Sequence, residues 1–221
     1  MDAYFTEKMN TCEKDNIKID ELTNSIYFNA DIDSNTMTDL TLKLLLMEQK
    51  ILRKQKTLKR KIDEIKKTDK NKTEEYEDYD EQFEIKIISK PINLYITSNG
   101  GLVYQVFGVI DTIKAMKVPV HTICKGFVAS AGTLLSLAGK RRFITENSYM
   151  LIHELRAGHY GKFTHLLESI ENSKQLMEHI KKIYLEKTKI TVEELEEQLK
   201  KDISWNAQMC LDKGLIDEII Q

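Results

Sequence analysis

Apolar residues recur along this chain in two rhythms, a period near two and a period near 3.6, and these alternate from about residue 83 onward. FEIKIISKPINLYITS carries β-branched and aromatic residues around one proline and predicts a strand, which Asn99-Gly100-Gly101 then breaks. LVYQVFGVIDTIKAMK follows with Val, Phe, Ile and Met three and four apart, the spacing of an amphipathic helix. VPVHTICKG predicts a second short strand, mostly apolar as expected where both sheet faces are covered. ASAGTLLSLAGK reads as a short helix rich in small residues, and RRFITENSYMLIHEL contains a strand ending near His153. A long helix over about 162–187 sets Leu166, Ile170, Leu176, Ile180 and Ile183 on one face. Thr191 and Glu194 stand in capping-box spacing at the head of TVEELEEQLKKD, and NAQMCLDKGLIDEII closes the chain. Strand–helix alternation of this kind predicts an α/β fold with a mainly parallel sheet and right-handed crossover helices.

Upstream the pattern is weaker. The first twenty or so residues are polar and aperiodic, so residues 1–24 are expected to be an extension and residues 25–221 the folded domain. SIYFNA predicts a short strand, DIDSNT a turn, and Ser34 or Thr36 is placed to cap a helix through MTDLTLKLLLMEQKILRK. Past Ile51 the character changes to basic RKQKTLKRKIDEIKKTDKNK and then to acidic EEYEDYDEQFE. Neither stretch has enough apolar residues to build a core. Residues 53–82 therefore read as a charged insertion, first a helix extension and then a disordered acidic stretch, either a tolerated appendage or a docking element.

Composition narrows the function classes. Apolar residues make up 41% and charged residues 31% of the 221, and the net charge of −2 gives no reason to expect a nucleic acid or anionic membrane partner. No uninterrupted apolar run reaches the roughly eighteen residues a membrane span needs, and the N-terminus lacks a secretory h-region. Cys12, Cys124 and Cys210 lack zinc-site spacing and form no disulfide framework. Three reduced thiols in the cytoplasm, or another soluble intracellular compartment, are expected.

The chemistry gathers around Ser130. VHTIC brings the chain to the end of a buried strand, Gly126 permits a sharp turn, and Ala129, Ala131 and Gly132 leave the hydroxyl uncrowded. A serine at a helix N-terminus faces free N–H groups, as nucleophile-elbow serines do, although VASAG lacks the first glycine of that motif. Gly100-Gly101 lets the backbone approach a substrate closely, so the N–H groups of Gly101 and Ala131 are candidates for an oxyanion hole. His153, at the end of an apolar strand, is the histidine best placed to take the serine proton. The base needs an acceptor on its other nitrogen, and Asp202 is the leading candidate with Asp217 as rival.

These residues resemble a known family. TSNGGLVYQVFGVIDTIKAMKVPVHTICKGFVASAGTLLSLAGKRRFITENSYMLIHE, continued by ITVEELEEQLKKDISWNAQMCLDKGLIDEII, is similar to the core of the Clp-type serine peptidases, the ClpP proteolytic subunits. The family's glycine pair falls on Gly100 and Gly101, its nucleophile on Ser130, its base on His153 and its acid on Asp202. The resemblance implies a ClpP/crotonase-like fold with a long handle helix, and a homo-oligomer of two stacked heptameric rings. It further implies cleavage of unfolded polypeptides delivered by an AAA+ unfoldase. No cofactor is expected in this chain, because ATP would be used by the partner ATPase.

The sequence also departs from the family. The usual S-P-G-G reads Ser98-Asn99-Gly100-Gly101, and H-Q-P after the base becomes His153-Glu154-Leu155. Of the aromatics that form the family's pocket for the unfoldase, Tyr95 survives while Asn93 and Ala115 replace two others. Two other readings stand beside the peptidase. A Ser–Lys signal-peptide peptidase relative would draw on Lys125, Lys140 or Lys162, and a catalytically silent ring subunit would need none of the triad.

Overall fold

Ile92, Leu94 and Ile96 alternate with less buried neighbours, and that period of two builds the central strand of the sheet. A computed structural model describes residues 16–68 and 90–221 of the chain. Its elements in order are β1 (Ile17–Asp20), β2 (Ser25–Asn29), α1 (Ser34–Thr68), β3 (Ile92–Ser98), α2 (Val103–Ala115), β4 (Val120–Ala129) and α3 (Ala131–Ser136). Then come β5 (Arg141–Thr145), β6 (Tyr149–Leu151), α4 (Phe163–Lys187), α5 (Val192–Leu199), β7 (Trp205–Asn206), α6 (Ala207–Asp212) and β8 (Glu218–Ile220).

The strands form one sheet in the order β1-β2-β3-β4-β5-β8, with β6 on β4 and β7 on β6. Pairings from β2 to β8 along this path are parallel, as is β4 with β6, while β1–β2 and β6–β7 are antiparallel. The mixed α/β architecture with a mainly parallel sheet is therefore as the alternation predicts. One arrangement was not legible in the sequence. β4 is ten residues long, and its first half pairs with β5 while its second half pairs with β6. The register shift between Ile96 and Ser98 marks the change, and Gly126 lies there at φ 70° with its N–H donating to Ser148 Oγ. The expected sharp turn at Gly126 is thus a bulge inside a longer strand.

The segment expected as an N-terminal extension contributes to the sheet. Ile17–Asp20 pairs with β2, and Ile17 is buried. Residues 1–15 lie outside the described residues. On α1, Met37, Leu40, Leu44, Met47 and Ile51 are all buried, three and four apart. Neither Ser34 nor Thr36 caps this helix. Asp33 Oδ1 accepts from the Thr36 N–H at 2.7 Å, and Thr36 Oγ1 accepts from the Asp33 N–H at 3.0 Å. Beyond Ile51 the helix continues to Thr68, with no buried residue from Leu52 to Glu64. The helix extension of the charged insertion is present, while its acidic half lies outside the described residues. Thr191 and Glu194 close the expected capping box on α5.

Candidate active site

The parallel strands deliver three chain segments to one place. β3 ends at Ser98 and passes into Asn99-Gly100-Gly101, β4 ends at Ala129 and passes into Ser130, and β6 ends at Leu151, two residues before His153. Ala129 and Leu151 are register partners, and the Ser130 N–H donates to the Leu151 carbonyl at 2.8 Å. Pairing of β4 with β6 therefore brings the serine and the histidine to the carboxyl ends of neighbouring strands, the usual ligand position of an open α/β sheet.

Ser130 has φ 54° and ψ −127°, a conformation that costs a residue with a Cβ about 1–3 kcal/mol. Asn24 is the other non-glycine residue with positive φ among those described, and it sits in the β1–β2 turn where asparagine is at home. The serine strain is held by specific bonds. Thr133 Oγ1 donates to the Ser130 carbonyl at 2.6 Å, and the Tyr184 hydroxyl on α4 in turn donates to Thr133 Oγ1. Both Thr133 and Tyr184 are buried, and burial pushes the Tyr184 hydroxyl well above the ordinary phenol range despite its bond to Thr133.

The glycine pair is held just as closely. A Cβ on Gly100 would stand 2.6 Å from the Ser130 Cβ, and one on Gly101 would stand 2.1 Å from the Ile32 carbonyl oxygen. Ile32 N–H donates to the Gly100 carbonyl at 2.7 Å, and the Leu102 N–H donates to the Ile32 carbonyl at 2.8 Å. Strand alternation then turns the Gly101 N–H to the opposite side, while the Gly100 N–H is engaged by Ser98 Oγ at 3.1 Å. Among the described residues, Gly101 is therefore the member of the pair whose N–H makes no hydrogen bond. The turn does without the proline its sequence lacks, because Asn99 Nδ2 donates to Asp31 Oδ1 at 3.1 Å.

Ser130, Ala131, Gly101 and His153 line one cavity of about 260 Å³. Its walls include Leu134, Ile180 and Tyr184, and Glu154 and Arg156 also border it. No lysine is among the described residues lining it. α3 has only six residues, so the local Ala131 N–H counts for more here than a helix dipole.

The two aspartates lie elsewhere. Asp217 Oδ1 and Oδ2 both accept from the Arg142 guanidinium, and Oδ2 also accepts from the Arg142 N–H at 2.8 Å. Partial burial raises the Asp217 carboxyl, but these bonds and the Arg142 charge outweigh it and hold the group below the usual range. Its work is to join the segment before β8 to β5. Asp202 follows α5, whose end is tied to the histidine segment on both sides. The Glu154 N–H donates to the Leu199 carbonyl at 2.8 Å, and Gln198 Nε2 donates to the Ile152 carbonyl at 3.4 Å and to the Ile203 carbonyl at 3.0 Å. Asp202 itself pairs with Arg156 at 2.6 Å. Among the described residues no hydrogen bond joins Ser130 to His153 or His153 to Asp202, and His153 Nδ1 is buried without a partner.

The structure thus brings four of the five residues singled out in the sequence around one cavity and leaves Asp202 on a neighbouring loop. Sequence reading missed Thr133, Tyr184 and Arg156. Thr133 stands at Ser130+3, the usual spacing of a hydroxyl that bonds back to a turn carbonyl, so it carried a local signal. Tyr184 and Arg156 carried none.

One family model, Clp protease, matches residues 60–221. The chain belongs to the Clp protease family. It is a peptidase of the Clp type, and the matched region takes in β3 through β8 with Ser130, His153 and Asp202. Among the described residues no helix is long and apolar enough to cross a membrane, and no cluster of His, Cys, Asp or Glu is arranged to hold a metal ion.

Proposed function

We propose that this Clp-type peptidase is a serine endopeptidase with Ser130 as nucleophile, His153 as general base and Asp202 as the orienting acid. The observation that carries this reading is the strained Ser130, held at a cavity that His153, Gly101 and Ala131 share. Ser130 Oγ attacks the scissile carbonyl carbon as its proton passes to His153 Nε2, and the C=O π electrons move onto oxygen. The Gly101 and Ala131 N–H groups receive that oxyanion, a contribution of about a hundred- to a thousand-fold in rate per donor. Collapse breaks the C–N bond, and the leaving amine takes the proton from His153. Water repeats the sequence on the acyl-serine and regenerates the enzyme, with no cofactor in this chain.

Unfolded polypeptides are the substrate class, and the assembly is two stacked heptameric rings fed by an AAA+ ATPase that spends the ATP. Phe163, Leu167 and Ile170 leave the first turns of α4 apolar and exposed, which suits a helix that packs on another subunit. Tyr27 stacks on Tyr95 with ring centroids 4.7 Å apart, so an aromatic surface persists on the strands before the glycine pair despite Asn93. The unpartnered His153 Nδ1 favours a second reading, a silent ring subunit. Peptide hydrolysis by the wild type and by Ser130→Ala, with oligomer mass measured on both, separates the two. The peptidase reading expects activity lost and mass unchanged in the variant, whereas equal rates in both proteins would refute it.

A further inference from the structure

Two groups on one short segment lay claim to the Asp202 carboxylate. His153 Nδ1 is buried and unpartnered, a costly state for a ring nitrogen beside a catalytic cavity. Arg156, three residues further along, holds the Asp202 carboxylate at 2.6 Å. Ile152 and Glu154, on either side of His153, are already bonded to Gln198 and Leu199 at the end of α5, just before Asp202. The Arg156 and Asp202 side chains are 71% and 59% exposed, so their pair is screened by solvent and weak enough to break.

We infer that Arg156 is a positioning residue that withholds Asp202 from His153, so that the triad closes only when the Arg156–Asp202 pair opens. This rests on the peptidase reading given above. Arg156 touches no reacting atom in this role; it sets the fraction of molecules in which Asp202 is available to orient the imidazole. Because exposed ion pairs are weak, the withheld fraction corresponds to a modest factor, about two- to five-fold in rate.

The test uses the full-length chain, with peptide turnover and the rate at which a fluorophosphonate labels Ser130 as readouts. Arg156→Ala and Arg156→Gln are expected to raise kcat and the labelling rate about two- to five-fold with KM nearly unchanged, while Arg156→Lys, which keeps the pair, stays near wild type. In an Asp202→Asn background the Arg156→Ala effect is expected to vanish, an outcome that a purely structural role would not produce. A rate that falls or stays level in Arg156→Ala, or a gain that persists in Asp202→Asn, overturns the inference. The two readings fail separately. Label on Ser130 at one rate in the wild type and in Arg156→Ala removes only the withholding role, whereas no label in either removes the peptidase reading and this inference with it.

Discussion

Gly100 and Ser130 are packed so closely that no side chain fits between them: a Cβ on Gly100 would lie 2.6 Å from the Ser130 Cβ and 2.8 Å from the Ala129 carbonyl oxygen. Gly100 also has φ 94°, which L side chains rarely adopt. The glycine is therefore a positioning element for Ser130, the proposed nucleophile, as well as a turn residue. Gly100→Ala should lower kcat about tenfold to a hundredfold, as displacements near 1 Å do in active sites. Steady-state kinetics beside a thermal melt checks this. A folded variant with wild-type kcat would contradict the contact.

The roles proposed for the two aspartates separate catalysis from stability. Asp202→Asn should reduce kcat by about two to four orders of magnitude with the melting temperature nearly unchanged, because its carboxylate is exposed and its only described partner is the exposed Arg156. Asp217→Asn should do the opposite, since Asp217 joins the segment before β8 to β5 through Arg142. The folded Asp217 carboxyl lies below its unfolded value, so its stabilising contribution is present above the ordinary aspartate range and is lost as pH falls through the folded value. Acid melts of the wild type and Asp217→Asn should therefore converge at low pH. If Asp217→Asn cripples turnover of the folded enzyme, the assignment of the acid is wrong.

Tyr184→Phe removes the outer bond of the chain Tyr184–Thr133–Ser130 inside a packed interior. A loss of about 1–2 kcal/mol in denaturant unfolding is expected, together with a smaller fall in kcat as the Ser130 turn loosens. No change in either quantity would show that the network does not brace the Ser130 turn.

Burial pushes the Cys124 and Cys210 thiols each up to about 12, so neither is a thiolate near neutral pH. Maleimide should modify these two positions only as fast as the protein opens, and should reach both quickly in denaturant. Rapid labelling of either one in the folded state would contradict the burial of β4 and α6.

Where the fold was legible in the sequence, one element carried a clean period or a local cap. The alternation of Ile92, Leu94 and Ile96, the stripe from Leu40 to Ile51 and the Thr191–Glu194 box are all such cases. Pairings between distant segments were not legible. Nothing local says that β4 divides its length between β5 and β6, yet that division is what sets Ser130 beside the end of β6. The hairpin of Ile17–Asp20 hid inside a polar stretch because Ile17 is the one fully buried residue of β1. Within the site, Ser130, His153, Gly101 and Ala131 were readable from strand ends and small residues. The salt bridge of Arg156 to Asp202 was not, because it depends on how two loops meet.

The most direct test of Ser130 as nucleophile is covalent. The folded protein is treated with a fluorophosphonate, digested, and mapped by mass spectrometry, with His153→Ala treated in parallel. One phosphonylated residue is expected, Ser130, with labelling of His153→Ala slowed at least about a hundredfold. An unlabelled protein, or a label on another serine with Ser130 untouched, would contradict that assignment.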